Sequence, residues 1–372
     1  MATAFAVFCA DDGSLTFYKR DTVPAVGDEF EGKVVGAVYT GFETSVYNSA
    51  SNVPWYNEKA SILSVSFVDE IAPAYTKHWF NDATAMISFD TTNLNTSNVK
   101  NMCSMFSDCS GLTALDVSNF NTSKVTDMQG MFSNCSGLTS LDLSNFDTSS
   151  VTSMTNMFYN CSGLTSLDLS NFNTSNVTSM MQMFIKCSNL TSLDVSSFDT
   201  SKVKNMGMNN MFSYCSNLIS LDLSSFNTSN VTNIGGMFYS CSGLTIIYVS
   251  ERWSTAAVTN STGMFNNCTS LVGDIPFDSS ATDATYATYT GGYLTYKFYA
   301  DYLKDRFVID GAELFDIGNK IRTLTGVKEG MTSAEMVTAV DTFNTEIADV
   351  LTTQDDLIAQ IIAALASKGY TT

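Results

Sequence analysis

One histidine, four prolines and three tryptophans are spread over 372 residues, and lysine and arginine together number eighteen. Each scarcity excludes something. With His78 as the sole histidine there is no His-based metal cage, and no Ser or Cys nucleophile motif accompanies it. Thirty-seven acidic residues against eighteen basic ones give a net charge of −19, which counts against DNA, RNA or anionic lipid as partners, because phosphate binding needs clustered cations. No apolar run approaches the ~18 residues of a membrane span. The start, MATAFAVFCADDGS, has neither a basic n-region nor a convincing apolar h-region, so no secretory signal is expected. Charged residues make up only 15% against 44% hydrophobic, so the polar surface falls to Ser, Thr and Asn. A chain of this composition and length can bury a large core, and disorder is not expected over most of it.

What is abundant is repetition. Met-Phe pairs begin at Met105, Met131, Met157, Met183, Met211, Met237 and Met264, and Trp79-Phe80 stands 26 residues before the first. Eight stacked units are therefore expected between about residues 79 and 278, with atypical units at both ends. Within a unit, Leu138, Leu141 and Leu143 alternate with polar residues as in a half-buried strand, which puts Leu141 and Leu143 inside and Ser140, Asp142 and Ser144 outside. Phe146, Val151, Met154, Met157, Phe158 and Cys135 fill the rest of the core, too irregularly spaced for a long helix. Equivalent strands should then lie side by side in one parallel sheet with ~4.8 Å spacing. Seven of the nine cysteines, Cys109, Cys135, Cys161, Cys187, Cys215, Cys241 and Cys268, close the Met-Phe-x-x-Cys motif. Stacked side chains pointing the same way cannot form disulfides, so they read as reduced, buried fillers.

The repeat LxxLDLSxFxTSxVTxMxxMFxxCxxL resembles that of the BspA-like branch of bacterial leucine-rich-repeat surface proteins, which also occurs in gut phages. The resemblance covers residues 79–278 and implies a right-handed curved solenoid used for binding, without a catalytic site. The absence of a visible signal or anchor departs from the bacterial surface pattern.

The fold class expected is mainly β: an N-terminal β cap over residues 1–75, a leucine-rich-repeat solenoid with a parallel sheet over 76–280, a terminal β hairpin over 281–299, and an α-helical segment over 300–372. The cap opens on a hairpin of residues 5–9 and 15–19 around Asp12-Gly13, followed by strands near 33–39 and 62–68. Gly291-Gly292 marks the terminal hairpin, whose Tyr286, Tyr289, Tyr293, Tyr296 and Tyr299 are either a sugar-stacking surface or amphipathic edge strands. After residue 311 the period becomes helical. Thr332 and Glu335 form a capping box ahead of Met336, Val340, Phe343 and Ile347, and Leu357, Ile361 and Leu365 form a second stripe. These stripes pack on each other or on copies of themselves, the latter making a homo-oligomer such as a trimer. Ile317-Gly318-Asn319-Lys320-Ile321-Arg322, then Thr325-Gly326 and Met331 through Met336, is similar to a short helical module of tailed-phage structural proteins.

The candidate site is the acid at the centre of each unit. Asp90, Asp116, Asp142, Asp168, Asp194 and Asp222 recur in register, with Tyr248 in the next place, beside Ser140, Ser144, Ser166 and Ser170. Neighbouring carboxylates ~5 Å apart repel by just under ~1 kcal/mol in water, so something must offset the row. Hydrogen bonds from the flanking serines and water are one answer. Calcium is a second, although a flat row offers few of the six to eight oxygens it wants. Recognition of sugar hydroxyls or a cationic protein patch is the third. Glycoside hydrolysis is disfavoured because identical settings do not divide acid from base. The Thr-Ser pairs, such as Thr122-Ser123 and Thr148-Ser149, read as turn-stabilising hydroxyl ladders.

The expectation is therefore a non-enzymatic binding protein with no resident cofactor or metal. It would be a phage virion component, a tail fibre or tip, that meets a bacterial cell-surface glycan or protein and other virion proteins. A bacterial surface adhesin and a capsid decoration protein are the alternatives. Nucleic acid and membrane are not expected partners.

Overall fold

The computed structural model describes residues 2–204 and 208–297. Strands β1 (Thr3–Cys9) and β2 (Ser14–Arg20) form the expected hairpin, in register from Thr3 opposite Arg20 to Cys9 opposite Ser14. Gly13 closes it with φ of +64°, and a Cβ there would lie 2.6 Å from the Ser61 carbonyl oxygen, so the turn needs glycine. After the short ribbon of β3 (Glu29–Phe30) and β4 (Lys33–Val34), β5 (Ala37–Thr40) pairs antiparallel with β1. β6 (Ser64–Phe67) pairs parallel with β2, and β7 (Ser88–Phe89) pairs parallel with β6. Because β7 belongs to the first repeat unit, the five-stranded sheet β5-β1-β2-β6-β7 leads the N-terminal segment into the repeats without a break.

One hydrophobic core runs from Ala4 to Leu294. It starts in a cluster of rings, with Phe17 edge-on to Trp55 at 5.2 Å and stacked on Trp79 at 5.8 Å. It continues as a column of the repeat phenylalanines. Phe106, Phe132, Phe158, Phe184, Phe212, Phe238 and Phe265 stack with centroids 5.6 to 6.0 Å apart and planes within 15°. Leu138, Leu141, Leu143, Phe146, Val151, Met154 and Met157 are buried around that column, while Asp142 and Ser144 between and beside the leucines are exposed. The seven cysteines of the repeat are free and buried, and they do more than fill space. Each thiol donates to the phenylalanine carbonyl of the unit before it, Cys135 to Phe106 and Cys161 to Phe132 at 3.0 Å.

The units are stitched differently from the sheet expected of them. Across the units between residues 113 and 196, the Leu-Asp-Leu/Val-Ser segment makes no paired strand. Paired strands return only in β8 (Ser220–Asp222) and β9 (Ile246–Val249), with β10 (Thr295–Tyr296) added to β9. Residue type accounts for the difference. Ile246, Ile247, Tyr248 and Val249 favour the pleated backbone, whereas Ser140, Asp142 and Ser144 are poor strand formers, and β8, of similar composition, pairs where β9 lies beside it.

Most of the stitching lies at the Met-Phe turns. The N–H of Phe106 donates to the Met131 carbonyl at 2.9 Å, that of Phe132 to Met157 at 3.0 Å, and so on to Phe238 and Met264 at 3.0 Å. Parallel columns start with Thr76 to Asn101, His78 to Cys103 and Asp82 to Ser107, and every one of these bonds runs from one unit's N–H to the next unit's carbonyl. Two left-handed residues per unit accompany this arrangement. One column holds Ser104, Gly130, Asn156, Gln182, Asn210, Gly236 and Gly263; the other holds Asp108, Asn134, Asn160, Lys186, Tyr214, Ser240 and Asn267. The reversals re-aim the peptide planes, and Gly, Asn and Asp, which tolerate positive φ, supply most of the positions.

A second stitch uses the Thr-Ser pairs, of which the threonine is the buried member. The Thr148 hydroxyl donates to the Asn173 carbonyl at 3.0 Å and accepts the Asn173 N–H at 2.8 Å. Thr96, Thr122, Thr174, Thr200 and Thr228 repeat the same two-way bridge to the following unit.

The hairpin expected over residues 281–299 is not formed by the described part of that stretch. The chain makes a single 3-10 turn at Ala284–Tyr286, and β10 then lies parallel to β9, with Thr295 opposite Tyr248. Tyr293 is fully buried against Phe265 and stacks on Tyr286, so it belongs to the core and offers no face to a sugar. Tyr299 and the apolar positions Met336, Val340, Phe343, Ile347, Leu357, Ile361 and Leu365 lie outside the described residues.

Candidate binding face

The recurring acids come to one face, one per unit. Asp90, Asp116, Asp142, Asp168 and Asp194 are exposed and Asp222 is half-buried. Their settings are near-identical. The Oδ1 atom of each accepts the backbone N–H two residues on, from Thr92, Ser118, Ser144, Ser170, Ser196 and Ser224, at 2.9 Å in all six. The local turn therefore supplies the offset to the row's repulsion. From Asp116 onward its partner is the serine after the second leucine or valine. Ser140 and Ser166, two residues before the acid, are exposed on the same face.

This bonding has an electrostatic signature. The Ser144 N–H and then its hydroxyl hold Asp142 below the usual carboxylate range, against a smaller opposing push from Asp116 and Asp168. Asp168 is lowered in the same way by Ser170. For Asp116 the Ser118 hydroxyl leads, and for Asp90 the Thr92 hydroxyl leads, with the backbone N–H second in both. Asp222 differs, since burial would raise it, yet Lys297 and the Ser224 N–H prevail and lower it. The Lys297 ammonium sits 2.9 Å from its Oδ2. Tyr248 follows in register, opposite Asp222 on one side and Thr295 on the other.

A second polar row escaped the sequence reading. Asn95, Asn121, Asp147, Asn173, Asp199 and Asn227, each just before a bridging threonine, accept the N–H two residues on at 2.9 to 3.1 Å. Asp147 and Asp199 are each separated from the next acid of the row by an amide, which spares them the repulsion of the first row. The signal was the Asn/Asp-Thr-Ser triplet itself, read for its hydroxyls and not for its first member. Asn145 and Asn171 add clamps, their amide groups donating to Val117 and Phe120 and to Leu143 and Phe146 of the unit before.

The face can hold a row of hydrogen-bond acceptors and hydroxyls at the spacing of the units. Each carboxylate is tied to its own turn, so convergence of several on one ion is not built in. Among the described residues no group of three or more His, Cys, Asp or Glu side chains is placed to hold a metal ion. His78 lies away from this row in a left-handed turn, and burial followed by Lys77 lowers its pKa.

Two overlapping stretches, residues 75–190 and 163–277, match a family described as "Mycoplasma protein of unknown function, DUF285", and together they span more than half of the chain. No curated protein matches. A leucine-rich repeat protein from Eubacterium ventriosum of known crystal structure is similar at 16% identity, over 72% of this chain and 81% of that one, with a TM-score of 0.27.

Proposed function

Because the chain belongs to the DUF285 family, we propose that it is a non-enzymatic binding protein of the surface-adhesin type, with the Asp row as its contact face. The observation that carries this reading is the repetition of one carboxylate per unit, exposed from Asp90 to Asp194, each pre-set by its own turn beside exposed hydroxyls. Side chains already fixed by local bonds lose little freedom on binding, which favours recognition over mere solubility. Carboxylates and hydroxyls at regular spacing suit a polyhydroxylated cell-surface glycan, or the cationic patch of a surface protein.

In finer terms, the solenoid is a receptor-binding part of a phage tail fibre or tip, meeting the bacterial host surface from the virion. The stretch from Ile317 to Met336, with its likeness to tailed-phage structural proteins, supports this. A surface adhesin of a bacterium is the second reading, favoured by the likeness of the repeat to BspA-like surface proteins. Antibody labelling of purified virions and of intact cells separates the two.

The binding face is tested with full-length protein on whole bacterial cells and on purified wall polysaccharide, comparing wild type with a triple Asp116→Asn, Asp142→Asn, Asp168→Asn variant. Affinity is expected to fall at least about tenfold with no loss of fold, as for removal of a central contact cluster. Undiminished binding by a folded variant refutes the assignment of the face.

A further inference from the structure

The two ends of the stack are closed unequally. At the N-terminal end the indole N–H of Trp55 donates to the Trp79 carbonyl, in the place that a turn N–H fills elsewhere, and the five-stranded sheet adjoins the first unit. At the C-terminal end the Phe265 N–H is met by the Thr282 carbonyl at 3.0 Å. Its neighbours are not met. Ile234, Gly236 and Ser240 donate to Asn260, Thr262 and Asn266, but their counterparts Ser261, Gly263 and Asn267 have no acceptor for their N–H groups among the described residues. The Met-Phe turn bonds leave their free N–H groups at this end, while bonds such as Thr152 N–H to Thr126 and Val272 N–H to Thr245 run in the opposite sense.

A partly apolar feature adjoins the N–H row. Two residues past Asn267 begins an open cleft of about 440 Å³, in which Leu271, Val272, Pro276 and Phe277 stand beside the polar Thr269 and Asp274. Val272 is 48% exposed there. The path of the chain adds a third observation. β10 is laid on β9 at this same end, and 75 residues follow Lys297. They carry twelve acidic residues against six basic ones, and the apolar stripe of Met336, Val340, Phe343 and Ile347.

From these we propose that residues 298–372 of the same chain dock on the C-terminal end of the stack, placing apolar side chains in the 269–277 cleft and oxygen acceptors on the N–H groups of Ser261, Gly263 and Asn267. The path of the chain favours this occupant, since β10 already lies on β9 at this end and the following 75 residues start from there. A second copy would have to reach the carbonyls of its own first unit, of which that of Trp79 is already taken by Trp55, and it is the alternative outcome of the test. The inference is independent of what the acid row binds.

Amide hydrogen exchange on the full-length protein reads the N–H row directly. Gly263 and Asn267 should be protected to within about tenfold of Gly236 and Ser240, whose acceptors are in place. Exchange at the rate of a free peptide overturns the proposal. A photo-crosslinking residue at position 272, in the same full chain, identifies the occupant. Crosslinks into residues 298–372 at monomer mass are expected; a crosslinked dimer, or none into that segment, overturns it. Val272→Lys alters an exposed side chain, so the stack should remain folded, and protection at Gly263 and Asn267 should drop at least about tenfold as the segment is displaced. Unchanged protection in that variant also counts against the docking.

Discussion

Thr148 is 1% exposed, and its hydroxyl donates to the carbonyl and accepts from the N–H of one residue of the next unit, Asn173. Replacing it with valine, nearly the same shape, leaves the Asn173 N–H and its own carbonyl without partners, and should cost about 1 to 3 kcal/mol. Thr148→Ser retains the hydroxyl and should cost clearly less; urea unfolding of both variants checks the order. The Asp row makes a prediction of the opposite kind, at the surface. Asp116, Asp142 and Asp168 are held below their ordinary values in the folded chain. Their contribution is present above the unfolded carboxylate pKa of about 4 and fades as pH falls through the lowered values. Melting temperature between pH 5 and 2 should therefore fall less steeply in Asp142→Asn than in wild type, and an identical slope would show the Ser144 bonds to be worth nothing. At this scale the sequence was half legible. The Thr-Ser pairs announced a hydroxyl ladder, but only the backbone decides which hydroxyl turns inward. The left-handed columns were not legible, because Lys186, Tyr214 and Ser240 give no sign of positive φ.

At the level of the elements, period and inside-outside alternation were written in the chain, and pairing was not. Leu141 and Leu143 face inward whether or not their segment pairs with a neighbour, so alternation reads the same in either case. What distinguishes β9 is the run Ile246-Ile247-Tyr248-Val249, which the central units lack; β8, of their own Ser-Leu-Asp composition and with the same aspartate turn, pairs where β9 lies beside it. The turns carry the stack instead, and their first rung depends on Trp55. Trp55→Phe keeps an aromatic side chain but loses part of the buried ring together with the indole N–H to Trp79, and should lower stability by at least about 1 to 3 kcal/mol. Retention of full stability would mean that the Trp79 carbonyl finds another donor. The cysteine column gives a sharper test. Burial pushes the Cys135 and Cys187 thiols up to about 12, so neither the thiolate nor access to it is offered in the native state. All nine cysteines are buried, and a soluble thiol reagent should label none of them without unfolding. Fast labelling of any repeat cysteine would contradict the packing.

Taken as one molecule, the stack is a series of near-equivalent layers whose every stitch joins adjacent units. Its stability should then be a sum of unit and interface terms. Excising residues 136–161, a full period that ends on Cys161, brings Cys135 next to Ser162 with each column back in register. That variant is expected to fold and melt cooperatively at a somewhat lower temperature. Excising half as many residues from the same place puts every column out of register and should leave that part of the chain unfolded, by circular dichroism and protease resistance. The turn columns also have a sense. In the Met-Phe columns each unit's N–H groups face the unit that comes after it in the chain, and at the opposite end the Trp79 carbonyl is met by Trp55, which precedes it. A ribosome releases the chain in that same order. The cap exists before the first coil, and every coil leaves the tunnel to find an open set of donors already waiting, so the protein can be built layer upon layer as it is made.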